Sequence, residues 1–188
     1  MENFLYVDTE TTGLDPCHDE LLSVSVLDND GRVLFHSYIK PRHRRKWRDA
    51  QKIHGITPEM VKHAPTYTMV KKYLADIFRG RKIVMYNAAF DTDFLAESLT
   101  DCDSIYCCML EFAEYNGEWN DYYNDWKWIK LTEAVKKVSP QFTFCAHDSL
   151  EDCKATREIW QFLKNIKNTT TEEQKNLCRL YSQHNIKV

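Results

Sequence analysis

The sequence predicts an α/β domain built on a mixed five-stranded sheet flanked by helices. Three observations carry this reading. β-rich runs crowd into residues 4–39, an Asp-Gly pair divides two of them, and beyond Pro41 helical and strand patterns alternate. Strands first, then helices alternating with strands, is the order expected of a mixed sheet packed by helices.

The stretch Phe4-Leu5-Tyr6-Val7-Asp8-Thr9-Glu10-Thr11-Thr12-Gly13-Leu14 opens as a hydrophobic strand and closes on a glycine turn. Side chains alternate along a strand, so Phe4, Tyr6, Asp8 and Glu10 share one face and Leu5, Val7 and Thr9 the other. Two carboxylates side by side repel each other. A divalent cation between them removes that cost, since oxygen ligands suit Mg²⁺ or Mn²⁺. A strand running into a solvated acidic turn is the plainer alternative.

Residues 20–28 and 32–39 are β-rich and separated by Asn29-Asp30-Gly31, a hairpin signal, which makes the first three strands antiparallel. Residues 47–54 read as a short helix stopped by Gly55, and Thr57-Pro58-Glu59 as an N-cap with proline at the first helical position. A helix over 68–78 carries Met69, Val70, Tyr73, Leu74, Ile77 and Phe78 as an apolar stripe. Residues 82–86 form a fourth strand, 89–99 a helix and 104–107 a short fifth strand. Helices follow over 130–138 and 150–166, and Thr170-x-x-Glu173 is a capping-box pattern that opens a last helix over 170–184.

A chain of 188 residues is read as one domain with a substantial core. Its net charge of −3 argues against coating nucleic acid by charge alone, while leaving room for a local basic groove. The densest basic run is His43-Arg44-Arg45-Lys46-Trp47-Arg48, for which a solvated surface is the alternative. Seven cysteines form no C-x-x-C pair, and the start Met-Glu-Asn shows no signal-peptide pattern. With no apolar run long enough for a membrane span, the expectation is a cytoplasmic protein with reduced thiols and no membrane contact. Residues 111–128 hold Phe112, Tyr115, Trp119, Tyr122, Tyr123, Trp126 and Trp128 among Asn, Asp and Glu. Such rings can stack on bases, although a loop packed down by its own aromatics is the commoner outcome.

Two further segments place acids on packed faces. In Asn87-Ala88-Ala89-Phe90-Asp91-Thr92-Asp93-Phe94-Leu95, helical spacing sets Asp91 with Phe94 and Leu95 and leaves Asp93 with Ala96 and Glu97 in solvent. In His147-Asp148-Ser149-Leu150-Glu151-Asp152, Asp148 can cap a helix, His147 projects before its end, and Asp152 joins the stripe Ala155, Thr156, Ile159, Leu163. Each buried acid could instead be satisfied by a neighbouring hydroxyl or amide. One metal cluster would serve all four acids together.

These motifs, in this order, resemble the DEDDh type of 3′→5′ exonuclease, in the DnaQ-like proofreading family of the ribonuclease H-like superfamily. The similarity rests on Asp8-Thr9-Glu10-Thr11-Thr12-Gly13-Leu14, Ile53-His54-Gly55-Ile56-Thr57, Asn87-Ala88-Ala89-Phe90-Asp91 and His147 with Asp152, and spans residues 4–163. It implies a ribonuclease H-like sheet, three antiparallel strands first and then parallel ones. It also implies a single exonuclease domain over 1–188, with a catalytic core over 4–166. Asp8, Glu10, Asp91 and Asp152 would bind two divalent cations, Mg²⁺ or Mn²⁺, and His147 would be the general base. Thr11, Gly13, Leu14, His54, Asn87 and Phe90 would meet the substrate.

The implied activity is release of nucleoside monophosphates from 3′ ends of DNA, single-stranded DNA being the first expectation. RNA trimming and a non-catalytic module that binds nucleic acid or a polymerase are the alternatives. Tyr86 stands where many relatives have histidine, and residues 111–128 match nothing in the family pattern.

Overall fold

The computed structural model describes the backbone of residues 4–183 and the side chains of residues 4–169. Its sheet contains β1 (Phe4–Thr11), β2 (Leu21–Asp28), β3 (Val33–Tyr38), β4 (Lys82–Met85) and β5 (Ser104–Cys107), in the order β3-β2-β1-β4-β5. β1 pairs antiparallel with β2 and β2 with β3, whereas β1–β4 and β4–β5 are parallel. The expected mixed sheet is therefore present. Its hairpin closes at Gly31, whose φ of 84° needs no Cβ penalty, while Asp28 Oδ1 accepts the amides of Asp30 and Arg32.

The helices are α1 (Arg48–His54), α2 (Pro58–Val61), α3 (Tyr67–Phe78), α4 (Ala88–Leu95), α5 (Cys108–Asn116), α6 (Leu131–Val138) and α7 (Ser149–Gln183). β1 is central and apolar on both faces because it is covered on both sides. Phe4 and Tyr6 pack with Phe112, Val135, Ile159 and Trp160 of α5, α6 and α7. Leu5 and Val7 pack with Leu74, Phe78 and Leu95 of α3 and α4.

Four details differ from the sequence reading. On α3 the inward side is Val70, Leu74, Ile77 and Phe78, while Met69 and Tyr73 are exposed. The helix expected over 89–99 ends at Leu95 and tightens into a 3₁₀ turn, Ala96–Ser98. Residues 149–183 are one helix, so the break expected before Thr170 is not there, and the side chains of Thr170 and Glu173 lie outside the described residues.

The fourth difference is in the aromatic segment. It starts as α5, with Cys108, Met109, Phe112 and Ala113 buried at helical spacing, and continues as a hairpin of β6 (Trp119–Asn120) and β7 (Asp125–Trp126). The rings of Trp119 and Trp126 meet edge to face at 5.1 Å, but Tyr122 and Tyr123 remain 86% and 73% exposed. The tip of the segment is thus presented to solvent, because a two-stranded hairpin has no second layer to cover it.

Candidate active site

Three elements converge at the C-terminal end of β1. Asp8 and Glu10 point to the α7 side of the sheet, with Ser25 and Ser23 of β2 as their register partners. Ser149, the first residue of α7, has its hydroxyl 2.7 Å from that of Ser23 and 2.8 Å from that of Ser25, all three buried. This seats the helix start over the sheet, and Asp152, nearly one turn on, comes to lie beside Asp8 and Glu10. Carboxylate oxygens of Asp8, Glu10 and Asp152 fall within 4.8 Å of one another.

Asp91 stands outside that set of three but lines the same cavity, and Asp93 is exposed, as expected. Because β4 runs parallel to β1, the turn after it delivers α4 to the same end of the sheet. Thr9 Oγ1 donates to Asp91 Oδ1 at 2.7 Å in a buried setting.

At the mouth of α7, Asp148 Oδ1 accepts the amides of Leu150 and Glu151 and so caps the helix. His147 just before it adopts φ 65° and donates its amide to Asp152 Oδ2 at 3.0 Å. A left-handed backbone at a non-glycine residue costs about 1 kcal/mol or more, and such residues cluster at functional sites. The exposed imidazole lines the cavity with the four acids.

Gathering these acids pushes their protonation upward. Burial, followed by the charges of Asp152, Asp91 and Asp148, raises Glu10 to about 9. Burial and then Asp91, Asp152 and Glu10 hold Asp8 well above the usual carboxylate range. Asp91 and Asp152 are also raised by burial, moderated by hydrogen bonds from Thr9 and from the His147 amide. Asp152 Oδ1 is buried with no hydrogen-bond partner. Hard oxygen donors, mutual repulsion and an orphaned carboxylate oxygen are together what a divalent cation satisfies.

The model of the RNase_T exonuclease family matches residues 5–160. The chain belongs to this exonuclease family. It is an enzyme of the DEDDh-type 3′→5′ exonuclease class.

Among its relatives, an uncharacterized exonuclease, CP81, of Escherichia phage 186 is 32% identical over 82% of this chain and 84% of its own length. The DNA polymerase III epsilon subunit of Rickettsia felis is 33% identical over 51% of this chain and 44% of that subunit. Escherichia coli exonuclease I, solved with single-stranded DNA, superposes with a TM-score of 0.69 at 20% identity, over 88% of this chain and 41% of that one. Exonuclease X, solved with a 5′-overhanging duplex DNA, gives a TM-score of 0.65 at 22% identity, over 88% and 93%. At such identities the structural likeness is one of fold. The matched stretch covers less than half of the epsilon subunit and of exonuclease I.

The exonuclease's acids open into a cavity of about 760 Å³, and all six residues expected to meet substrate line it. Gly13 is required there: a Cβ would fall 2.3 Å from Asp19 Oδ2, and Asp19 is fixed by Thr12 Oγ1 at 2.9 Å and by Arg44. Leu14 is 82% exposed. His54 Nδ1 accepts the Ile56 amide, so its Nε2 carries the proton and donates to the Thr11 carbonyl at 3.2 Å. Burial lowers the His54 pKa and favours that neutral form. Asn87 and Phe90 enter from the first turn of α4 and the residue before it.

Tyr86 and Leu131 also line the cavity, as do Arg44, Lys46, Arg48 and Ile53. The Tyr86 hydroxyl donates to the Ile129 carbonyl at 2.6 Å. The Tyr86 phenol therefore ties the residue just past the aromatic segment to the cavity wall. Among the described residues no helix is long and apolar enough to cross a membrane.

Proposed function

We propose that this exonuclease hydrolyses single-stranded DNA from its 3′ end and releases nucleoside monophosphates, with Asp8, Glu10, Asp91 and Asp152 holding two divalent cations, Mg²⁺ or Mn²⁺. The observation that carries the reading is the meeting of three carboxylates within 4.8 Å, one of them with an unpartnered buried oxygen. Bound there, divalent cations supply a water of lowered pKa and positive charge for the oxygens of an in-line displacement.

The chain's own side chains do the rest. His147 stands at the cavity edge with its ring free, and imidazole is suited to accept a proton from water near neutral pH. The hydrogen bond its backbone amide donates to Asp152 sets it at a fixed place relative to the acids. Thr9 orients the Asp91 carboxylate. Leu14 and Phe90 offer apolar surface to the terminal nucleotide, and His54 and Gly13 hold the β1 turn against which it would lie. Little covalent chemistry is left for the protein in phosphoryl transfer, so positioning and electrostatics account for most of the rate.

Epsilon subunits among the relatives suggest a polymerase partner, and the free thiols of Cys17, Cys102, Cys107, Cys108, Cys145 and Cys153 suit a cytoplasmic setting. The deciding experiment compares DNA and RNA strands of one sequence at equal concentration. Faster loss of the DNA strand supports the proposal. Faster loss of RNA would replace it with an exoribonuclease acting through the same residues.

A further inference from the structure

We infer that one wall of the cavity, formed by Lys46, Arg48 and Ile53, binds the phosphodiester backbone of the strand behind the terminal nucleotide. The inference rests on the DNA exonuclease reading above. Six acids line the cavity: the divalent cations proposed above would offset Asp8, Glu10, Asp91 and Asp152, and Asp19 and Asp49 are paired with Arg44 and Lys52. In a chain whose net charge is −3, the phosphates behind the terminal nucleotide therefore need further positive charge nearby. The cations that line this cavity come from the basic run.

That run is held in one conformation by a device the sequence does not advertise. The Glu20 carboxylate accepts three consecutive amides, those of Arg42 at 2.7 Å, His43 at 2.8 Å and Arg44 at 2.7 Å. Arg44 is committed within the protein, donating Nε to the His18 carbonyl at 2.9 Å and pairing with Asp19 at 3.1 Å. Trp47 turns inward, is buried with Leu22, Ile56 and Val61, and donates Nε1 to the Ile56 carbonyl at 2.8 Å.

With Trp47 as the peg, its two neighbours Lys46 and Arg48 are left in the cavity, and neither makes an ion pair among the described residues. The adjacent acid, Asp49, is occupied by Lys52 at 2.7 Å. Ile53, on the same short helix, is 60% exposed and lines the cavity with Leu14. Two unpaired cations beside two exposed aliphatic side chains match the alternation of phosphate and sugar along a single strand. Arg45, between these residues in sequence, lines a separate groove with Pro41, Val61 and Lys62, and so provides an internal control of equal charge.

The test measures kcat/KM on a 5′-labelled single strand of about twelve nucleotides with Mn²⁺, from about 50 to about 200 mM salt, for the wild type, the double variant Lys46→Ala/Arg48→Ala, and Arg45→Ala. Two lost phosphate contacts should cost the double variant roughly tenfold at the lowest salt and make its log–log salt slope shallower by about 1.4. Arg45→Ala should keep the wild-type slope. Equal slopes in all three proteins would overturn the inference, as would an equal loss in Arg45→Ala. The p-nitrophenyl ester of thymidine 5′-monophosphate has no upstream strand, so its turnover by the wild type reports on the catalytic reading alone. If the wild type cleaves neither the ester nor the strand, that reading falls and the inference with it.

Discussion

The amide of His147 donates to Asp152 Oδ2 at 3.0 Å, while Oδ1 of the same carboxylate is buried without a partner. One carboxylate thus has one oxygen spent on positioning the proposed base and the other left for a cation. The two residues should fail differently. Asp152→Asn is expected to lose Mn²⁺ binding and turnover together. His147→Asn, chosen because asparagine tolerates the left-handed backbone, should lose about 10²–10⁴-fold in kcat while Mn²⁺ still binds in a calorimetric titration. Normal turnover by His147→Asn would remove the base from the account.

Thr9 and Asp91 make a second separable pair. The Thr9 hydroxyl favours the ionised form of Asp91, against the burial that raises its pKa. Thr9→Val keeps the shape and removes the donor, so Asp91 should hold its proton more tightly. The Mn²⁺ concentration for half-maximal activity at pH 7 should rise several-fold and recover toward the wild-type value at higher pH. An unchanged Mn²⁺ requirement would show that Thr9 only fills space.

The raised acids set the direction of the pH dependence of stability. Glu10 titrates near 4.5 in an unfolded chain and at about 9 in the fold, and Asp8, Asp91 and Asp152 are shifted the same way. The folded state therefore holds protons that the unfolded state has released. Their contribution is fully present below the unfolded pKa and is lost as pH climbs toward 9. Metal-free protein should show a Tm that falls from about pH 5 to about pH 9. Mg²⁺ or Mn²⁺ should raise the Tm most at the alkaline end, because binding to the folded state alone stabilises it. A metal-free Tm that rises over this window would contradict the clustered burial of these acids.

Tyr86→Phe tests the tether to the aromatic segment. Removing the hydroxyl leaves the buried Ile129 carbonyl unpaired, at a cost of about 1–3 kcal/mol. Hydrogen exchange should speed up in residues 117–131 before it does in the sheet. Uniform protection in both proteins would mean that the hairpin is held by other contacts.

The sheet was readable because its signals are local. The apolar run into Asp8, the Asn29-Asp30-Gly31 turn and the Thr57–Pro58 start each lie within a few residues. Asp91 and Asp152 could be told from Asp93 and Glu151 because helical period alone assigns a face. Ser23, Ser25 and Ser149 were missed, since a hydroxyl cluster joining residues more than 120 apart leaves no local pattern. The alternation of serine with valine in β2 is the faint signal that could have pointed to them. Lys46 and Arg48 were seen only as charge, because their direction depends on where Trp47 is buried. In α7, the polar residues after Ile166 look like a break, yet helix continuation needs no apolar stripe once a long helix is already seated on the sheet.

The central claim is that Asp8, Glu10, Asp91 and Asp152 form a metal-dependent site that digests a strand from its 3′ end. It is tested most directly by incubating pure protein with 5′-labelled single-stranded DNA, with Mg²⁺, Mn²⁺ or chelator, beside Asp8→Ala. The account predicts a ladder that keeps its 5′ label and shortens from the 3′ end, needs the divalent cation, and is absent in Asp8→Ala. Release of the labelled 5′ nucleotide first, or an equal ladder in chelator or in Asp8→Ala, would contradict it.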